Sequence, residues 1–260
     1  MHVMTANEAM HARPAATVVI FREGRSSVPE LLIVERSGSM AFAAGALVFP
    51  GGAVDPDDVV LASSLGWMMP ADEGAARIAA IREAIEESGM AVGFDRTPAP
   101  DQVSALRHGL HAGEAFSVLL ARTGLTIDPH ALVPFARWHP NAGEKVRRVF
   151  DTRFYLARDM GGVEATVDAR ENVRLFWASA AEVLDRCARG EGRIIFPTQR
   201  NLERLAQFDS FEAASRHALA TPIEKVTPWV EERADGPHLC IPSHLGYPVT
   251  SEPIGTAMRG

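Results

Sequence analysis

The chain of 260 residues is long enough for one large domain, or for one domain with an appendage. Hydrophobic residues make up 47% of it and charged residues 23%, which is typical of a globular protein with a buried core. The net charge is −7 and no dense run of Lys or Arg occurs, which argues against binding along a nucleic-acid backbone.

The two cysteines, Cys187 and Cys240, are far apart and have no cluster of other ligands near them. They predict neither a zinc site nor a disulfide framework, and a reducing compartment fits this usage. The N-terminus lacks a basic segment followed by a long apolar core, and no apolar run approaches the roughly 18–20 residues of a membrane span. We therefore expect a cytoplasmic protein without a membrane partner.

The first part of the chain is predicted to be rich in strands. Residues 1–14 are expected to form a flexible N-terminus. Segments 15–23 and 30–37 are apolar, β-branched and separated by a turn, which predicts a hairpin of two buried strands. Segment 45–58 predicts a short strand that ends in a loop of Gly, Pro and Asp residues.

A helix is predicted over residues 74–88. Asp72 is a candidate N-cap for it, and Gly89 is a natural stop. Residues 101–125 predict two further, shorter helices.

The remaining chain alternates between strand and helix patterns. Strands are predicted at 131–140, 147–158 and 172–178. Helices are predicted at 179–189, 197–208 and 210–220, and short strands and loops in the Pro-rich tail.

Strands and helices are interspersed without a clean linker, which predicts a single α/β domain. We expect this domain to cover residues 15–220, with insertions at about 53–74 and 98–125. The C-terminal extension, 221–260, is expected to pack on the same domain.

Three glutamates share one face of the predicted helix. Glu83, Glu86 and Glu87 are spaced i, i+3 and i+4, where like charges destabilise a helix. Arg82 offsets part of this repulsion, and a hard dication would offset the rest, because Mg²⁺ takes carboxylate and phosphate oxygens. An ordinary solvated acidic face is the alternative. Ile78, Ile81 and Ile85 lie roughly opposite, whereas Ala76, Ala79 and Ala80 share the acidic side and are expected to leave room above it.

The segment FPGG at 49–52 lies upstream, and paired glycines let a backbone come close to a ligand or metal. Together with REAIEESGM at 82–90, it resembles the Nudix hydrolase pattern G-x5-E-x7-R-E-U-x-E-E-x-G-U, where U is a bulky aliphatic residue. Between Gly52 and Arg82 lie 29 residues, more than in the pattern, so both Asp58 and Glu73 are candidates for its early Glu. The matching positions are Arg82, Glu83, Glu86, Glu87, Gly89 and Met90, with Ala84 as a small substitute for the first U.

A second sequence pattern points to one branch of the Nudix family. Nudix enzymes that act on coenzyme A share L-L-T-x-R-S/A-x3-R-x3-G-x3-F-P-G-G, and this chain has LIVERSGSMAFAAGALVFPGG at 32–52. Ala41 stands where the second Arg of that pattern would be. The chain is similar to the peroxisomal type of coenzyme A diphosphatase, which also carries an insertion inside the Nudix box. Leu32, Arg36, Ser37, Gly45 and the FPGG segment keep the spacing.

The Nudix resemblance implies an α/β/α sandwich with a mixed β-sheet, a helical insertion and a C-terminal extension. It implies metal-dependent hydrolysis of the diphosphate in a nucleoside diphosphate linked to another moiety, with coenzyme A or an acyl-CoA as the best match. ADP-ribose, NAD(H) or a nucleotide sugar is an alternative substrate. A Nudix module that binds a nucleotide without catalysis is a different class of alternative. The partner is in each case a small-molecule nucleotide conjugate, and a homodimer is expected because many relatives form one.

The resemblance also implies roles for particular residues. Glu83, Glu86 and Glu87 would hold Mg²⁺ or Mn²⁺, aided by the Gly51 carbonyl, and Arg82 would orient the carboxylates. Glu83 or a later acid would take the proton of the attacking water.

Other candidate residues lie outside the Nudix box. Glu171 is a second candidate base, with a surface charge as its alternative reading. Five residues are expected to bind substrate, and for the arginines among them a structural salt bridge is the alternative: Arg36, Ser37, Gly52, Arg148 and Arg153.

Overall fold

The structure, a computed structural model, describes residues 12–24, 28–38, 43–139, 149–168 and 170–257. Within these residues, eight strands form one mixed sheet with helices packed on both of its faces, and three more strands form a small second sheet. This confirms the predicted α/β sandwich with a mixed sheet. The strands of the large sheet are β1 (Arg13–Arg22), β2 (Glu30–Arg36), β3 (Leu47–Val48), β4 (Gly51–Ala53), β5 (Val133–Trp138), β6 (Phe150–Arg158), β7 (Asn172–Ala178) and β8 (Lys225–Val226).

The helices divide between the two faces of the large sheet. Those between β4 and β5 pack on one face, and α5 to α7 pack on the other. The helices are α1 (Pro56–Ser64), α2 (Ala71–Ser88), α3 (Pro100–His111), α4 (Phe116–Thr123), α5 (Ala180–Ala188), α6 (Phe196–Leu205), α7 (Phe211–Ala220) and α8 (Ile254–Ala257). The second sheet consists of β9 (Trp229–Arg233), β10 (Gly236–Cys240) and β11 (Ser251–Pro253).

Strand β1 is central to the large sheet, whose order is β3-β2-β1-β6-β5-β8, with β4 paired to β1 and β7 paired to β2. It runs antiparallel to β2, as the predicted hairpin requires, and parallel to β6 from Arg13↔Phe150 to Phe21↔Arg158. A parallel pair needs a crossover connection. In this chain that connection carries β2, β3 and β4, helices α1 to α4 and β5.

The alternation of side chains along β1 separates two hydrophobic cores. Val18 and Ile20 face α2, while Val19 and Phe21 face the layer of α5 to α7. The same alternation along β6 sends Tyr155 to the α2 side and Leu156 to the other side. The α2 side is the one that positions the glutamates.

Helix α2 begins earlier than the sequence predicts. It starts at Ala71, and the carbonyl of Pro70 accepts a 3.0 Å hydrogen bond from the Gly74 amide. Asp72 lies in the first turn, so the expectation that it caps the helix is wrong. The helix ends at Gly89, which adopts a left-handed conformation with φ 70°, as predicted.

The acidic side of α2 is not open along its length. Ala76, Ala79 and Ala80 are fully buried in the core on this side of the sheet, because α1 and α3 pack on the helix as well. The expected free space above these alanines is therefore absent among the described residues. Near the C-terminal end of α2 the acidic side is more open, and Glu86 retains a one-third exposed side chain.

The C-terminal segment shares the core with the large sheet. Strand β8 adds to β5 in parallel, with Trp138 beside Val226. The Tyr247 hydroxyl lies 3.0 Å from Nε1 of Trp138, and Arg200 forms a buried ion pair with Glu252 at 2.7 Å. None of the helices among the described residues is long and apolar enough to cross a membrane.

Candidate active site

Of Glu83, Glu86 and Glu87 on α2, Glu87 is buried and Glu83 is partly buried, with a side chain that is 17% exposed. Glu87 is 3% exposed, and its Oε2 accepts a 3.0 Å hydrogen bond from the Gly51 amide. The pKa of Glu87 is raised to about 8; burial is the main cause and the negative charge of Glu83 adds to it, while Gly51, Asn172 and Arg36 oppose the rise. Burial likewise raises the pKa of Glu83 to about 7, although Arg82 opposes this. A carboxyl group buried in this way stays ionised only with a cation nearby; otherwise it takes up a proton.

The two glycines of FPGG are required because neighbouring atoms come too close to leave space for a side chain. A Cβ atom on Gly52 would overlap both carboxylate oxygens of Glu83. A Cβ atom on Gly51 would lie 2.5 Å from the carbonyl oxygen of Ala16, since Gly51 pairs with Thr17 of β1. The glycines therefore let β4 lie against both β1 and the acidic end of α2.

Arg82 holds Glu83 in place. Its Nη1 donates to Glu83 Oε1 at 2.7 Å, and its Nη2 donates to the Ala53 carbonyl at 2.9 Å. Nε and Nη2 also form a bidentate pair with the fully buried Asp58, at 3.1 and 3.0 Å. Burial opposes the charged form of Arg82, but Asp58 and Glu83 outweigh it, so the pKa of Arg82 lies above its ordinary value.

The same contacts distinguish the two candidates for the early Glu. Asp58 lies in the first turn of α1 and contacts Arg82, whereas Glu73 pairs with Arg77 at 2.9 Å and with Arg153 at 3.2 Å. Asp58 occupies the position spaced correctly from Gly52. The extra residues of the box follow it, as the rest of α1 and the segment before α2.

The end of β2 meets the start of β7 beside these carboxylates. The Ser37 amide donates to the Glu171 carbonyl at 2.8 Å, and Nη2 of Arg36 lies 3.8 Å from Glu171 Oε2. Arg36 is close enough to Glu87 to lower its pKa against the effect of burial. Three candidate residues from outside the box thus come together at one edge of the acidic site.

A crystal structure of a Nudix hydrolase from Alicyclobacillus acidocaldarius is similar in sequence and in fold. The two chains are 30% identical over 79% of this chain and 96% of that one, with a TM-score of 0.67. This chain belongs to the Nudix hydrolase family. The prediction that it is an enzyme, a Nudix pyrophosphohydrolase, is confirmed with the family.

A curated relative agrees with the narrower resemblance. Acyl-coenzyme A diphosphatase NUDT19 from Gallus gallus is 27% identical, over 92% of this chain and 80% of the relative. A scan against models of protein families finds no match.

Two predicted substrate-binding arginines stand apart from this Nudix site. Arg153 pairs with Asp72 and Glu73 at the start of α2, about 15 Å along the helix from Glu83 at 1.5 Å per residue. There it lines a cavity of about 290 Å³ together with Tyr155. Its role in substrate binding stays a prediction, and Arg148 lies outside the described residues.

Arg107, in the second insertion, supports the end of the Nudix helix α2. Its Nε donates to the Glu86 carbonyl and its Nη2 to the Glu87 carbonyl, both at 3.1 Å. These are carbonyls that a helix C-terminus leaves without partners. Nη2 also donates to the Thr166 carbonyl at 2.7 Å. Sequence reasoning missed Arg107, because nothing in the α3 pattern indicates which carbonyls its side chain reaches.

Asn172 was also missed. It is 1% exposed, and its amide lies beside Glu87 and opposes the effect of burial on the pKa of that carboxyl. Neither its Nδ2 nor its Oδ1 reaches a partner at hydrogen-bonding geometry among the described residues. A single asparagine at the start of a strand gives no signal in one sequence.

The Nudix site has the ligands for a hard divalent cation. Carboxylate oxygens are the donors that Mg²⁺ takes, and they also suit Mn²⁺. In the part of the chain that the structure describes, no three acidic, His or Cys side chains already converge as a metal site, and Glu83 and Glu87 instead accept from Arg82 and Gly51. The raised pKa values of both carboxyls, and the space that Gly52 leaves beside Glu83, fit a bound cation.

Proposed function

We propose that this Nudix hydrolase cleaves the diphosphate of coenzyme A or an acyl-CoA. The observation that carries the proposal is the place of Arg36 at the end of β2, where its Nη2 lies 3.8 Å from Glu171 Oε2 and its charge lowers the pKa of Glu87. Arg36 belongs to the pattern that Nudix enzymes of coenzyme A share, and its buried Nε has no partner among the described residues. A guanidinium with a free donor next to the acidic end of α2 suits a phosphate of the substrate. The name of the Gallus gallus relative supports the same substrate class.

In this proposal, Glu83, Glu86 and Glu87 hold Mg²⁺ or Mn²⁺ together with the Gly51 carbonyl. When bound, the metal polarises the phosphate and makes a water easier to deprotonate. Arg82 keeps the Glu83 carboxylate oriented, since it donates to Oε1 and is itself fixed by Asp58.

Glu83 is the proposed acceptor of the proton from the attacking water. Its carboxylate has a fixed orientation, because Arg82 donates to Oε1 at 2.7 Å, and a positioned carboxylate is a common general base. Glu171 is the second candidate, with an exposed carboxylate close to Arg36 and Ser37. Glu171→Gln distinguishes the two, because only a base at Glu171 makes that change costly to kcat.

A panel of substrates with Mg²⁺ or Mn²⁺ tests the proposed function. Coenzyme A and an acyl-CoA are expected to yield adenosine 3′,5′-bisphosphate and a phosphopantetheine, identified by mass. Glu86→Gln is expected to lower kcat by about 10²–10³-fold, the scale of a lost electrostatic group.

The alternatives predict different results in the same panel. Cleavage of only ADP-ribose, NAD(H) or a nucleotide sugar would replace the coenzyme A assignment. Binding of one nucleotide conjugate without turnover would instead favour a non-catalytic module.

We also propose a cytoplasmic location and a homodimer. The unpaired Cys187 and Cys240 support a reducing compartment. The dimer rests on the family resemblance, and light scattering of the purified protein tests it.

A further inference from the structure

Asn172 is deeply buried, and the polar atoms of its side chain are not satisfied by hydrogen bonds among the described residues. It is the first residue of β7, and its backbone amide donates to Asp168 Oδ1 at 3.1 Å, so its main chain is held. Its side chain is not held in the same way: it lies near the Glu87 carboxylate, but neither Nδ2 nor Oδ1 reaches a partner at hydrogen-bonding geometry among the described residues. Buried polar groups in native structures are normally hydrogen-bonded, so an unsatisfied one calls for a reason.

The surroundings of Asn172 indicate that reason. It pairs with Arg36 across the β2–β7 ladder, and its amide lies beside the Glu87 carboxylate of α2. Glu87 is held from the opposite side by the Gly51 amide. An amide can both donate and accept without adding charge, whereas an acid here would add to the repulsion among the glutamates.

We propose that Asn172 is a positioning residue that fixes the Glu87 carboxylate for cation binding. Nδ2 donates to Glu87, and Oδ1 accepts a hydrogen bond from water that accompanies the cation. Glu87 is then held between Gly51 and Asn172, and the cation meets an oriented oxygen. This inference rests on the proposed function, because it assumes that the carboxylates bind a metal.

The variant Asn172→Leu tests this role, because leucine has a similar size and no hydrogen-bonding group. Because neither Nδ2 nor Oδ1 has a hydrogen bond at good geometry to lose among the described residues, the Tm of the metal-free protein is expected to change little. The affinity for Mn²⁺ is expected to fall about 10–100-fold, as for other partners of metal-ligating side chains. Calorimetric titration with Mn²⁺ alone and the metal-free Tm measure the two effects without any substrate.

Asn201→Leu is the matched control. Asn201 is also fully buried, but its Oδ1 accepts from Trp138 at 3.4 Å and from Tyr247 at 3.2 Å in the other core. This variant is expected to lower Tm and to leave the Mn²⁺ affinity unchanged. The two asparagines thus separate a structural role from a positioning role.

Each result of the titration has one meaning. Wild-type protein that binds no Mn²⁺ overturns the proposed function and this inference with it. Wild-type binding with equal affinity in Asn172→Leu overturns the inference alone, and a lowered metal-free Tm would then show a structural role. If Asn172→Leu does not fold, Asn172→Ala is titrated in the same way, and an unchanged affinity again overturns the inference.

Discussion

Asp58 and Arg82 form a bidentate ion pair that joins the first turn of α1 to the Nudix helix α2. Asp58 is fully buried, and Arg82 in turn donates to Glu83 Oε1 at 2.7 Å. The first turn of α1 therefore supplies the group that fixes the arginine of the box, and the extra residues of the box follow that turn.

Asp58→Ala is expected to impair both folding and activity. Removing Asp58 takes away the fully buried counter-charge of Arg82 and leaves Glu83 as its close partner, and breaking such a buried pair costs about 3–5 kcal/mol in the free energy of unfolding. Denaturant unfolding and kcat/KM measure the two losses. Glu73→Gln is the comparison and is expected to keep more activity, because Glu73 pairs with Arg77 and Arg153 instead. If Glu73→Gln lost the activity and Asp58→Ala kept it, Glu73 would be the early acid of the box.

Gly52→Ala is expected to reduce activity strongly while the fold persists. The added methyl group would overlap the Glu83 carboxylate and push it from its place beside Arg82. We expect a loss in kcat of about 10²-fold or more, as for a catalytic group displaced by an ångström. Gly255→Ala is the control, since a Cβ atom there meets nothing within 4 Å. Wild-type turnover by Gly52→Ala would show that the carboxylate has another position in which it works.

Arg107→Ala is expected to destabilise the C-terminal end of α2. Hydrogen bonds from a charged donor contribute about 1.5–3 kcal/mol, and this guanidinium serves the carbonyls of both Glu86 and Glu87. Chemical denaturation measures the loss, and hydrogen exchange at residues 85–90 locates it. Arg122→Ala, which removes an exposed pair with Glu114, is expected to change stability little. Equal effects from the two arginines would contradict a specific role for Arg107.

Arg36→Ala is expected to raise KM for the coenzyme A substrate more than it lowers kcat. Its guanidinium is proposed to bind a phosphate, so the loss falls on binding that the ground state and transition state share. Steady-state kinetics separate the two constants. Arg174→Ala, on the neighbouring strand β7 and exposed, serves as the control. A KM that stays at the wild-type value would remove Arg36 from the substrate site.

Much of the fold follows from local pattern. Strand β7 occupies residues 172–178, as alternation and β-branched content predict, and Gly89 ends α2 where its left-handed conformation is needed. The acidic face of α2 and the glycine pair of FPGG could also be predicted from the sequence. The spacing of the glutamates along one helix puts them on one face, and the glycines mark one tight turn. Local spacing carries this information without any knowledge of tertiary contacts.

The remaining parts of the site depend on contacts between distant segments. Asp58 and Glu73 could not be separated by counting, since only the packing of α1 on α2 shows which of them Arg82 reaches. Asn172 gave no signal because its importance comes from the carboxylate opposite it, which lies on another element. The early start of α2 follows from Pro70, whose ψ of 138° keeps it outside the helix while its carbonyl accepts the first bonds.

The parallel pairing of β1 with β6 has a consequence for biosynthesis. Residues 13–21 find their neighbour only at residues 150–158, so every glutamate of α2 leaves the ribosome before the strand that completes the centre of the sheet. The entropy cost of closing a loop over that span comes before the stabilising contacts between β1 and β6 form, and this slows folding. A nascent chain that stops before residue 150 would carry the whole Nudix box and β1, on which α2 packs, and would still lack β6, the strand that lies between β1 and β5.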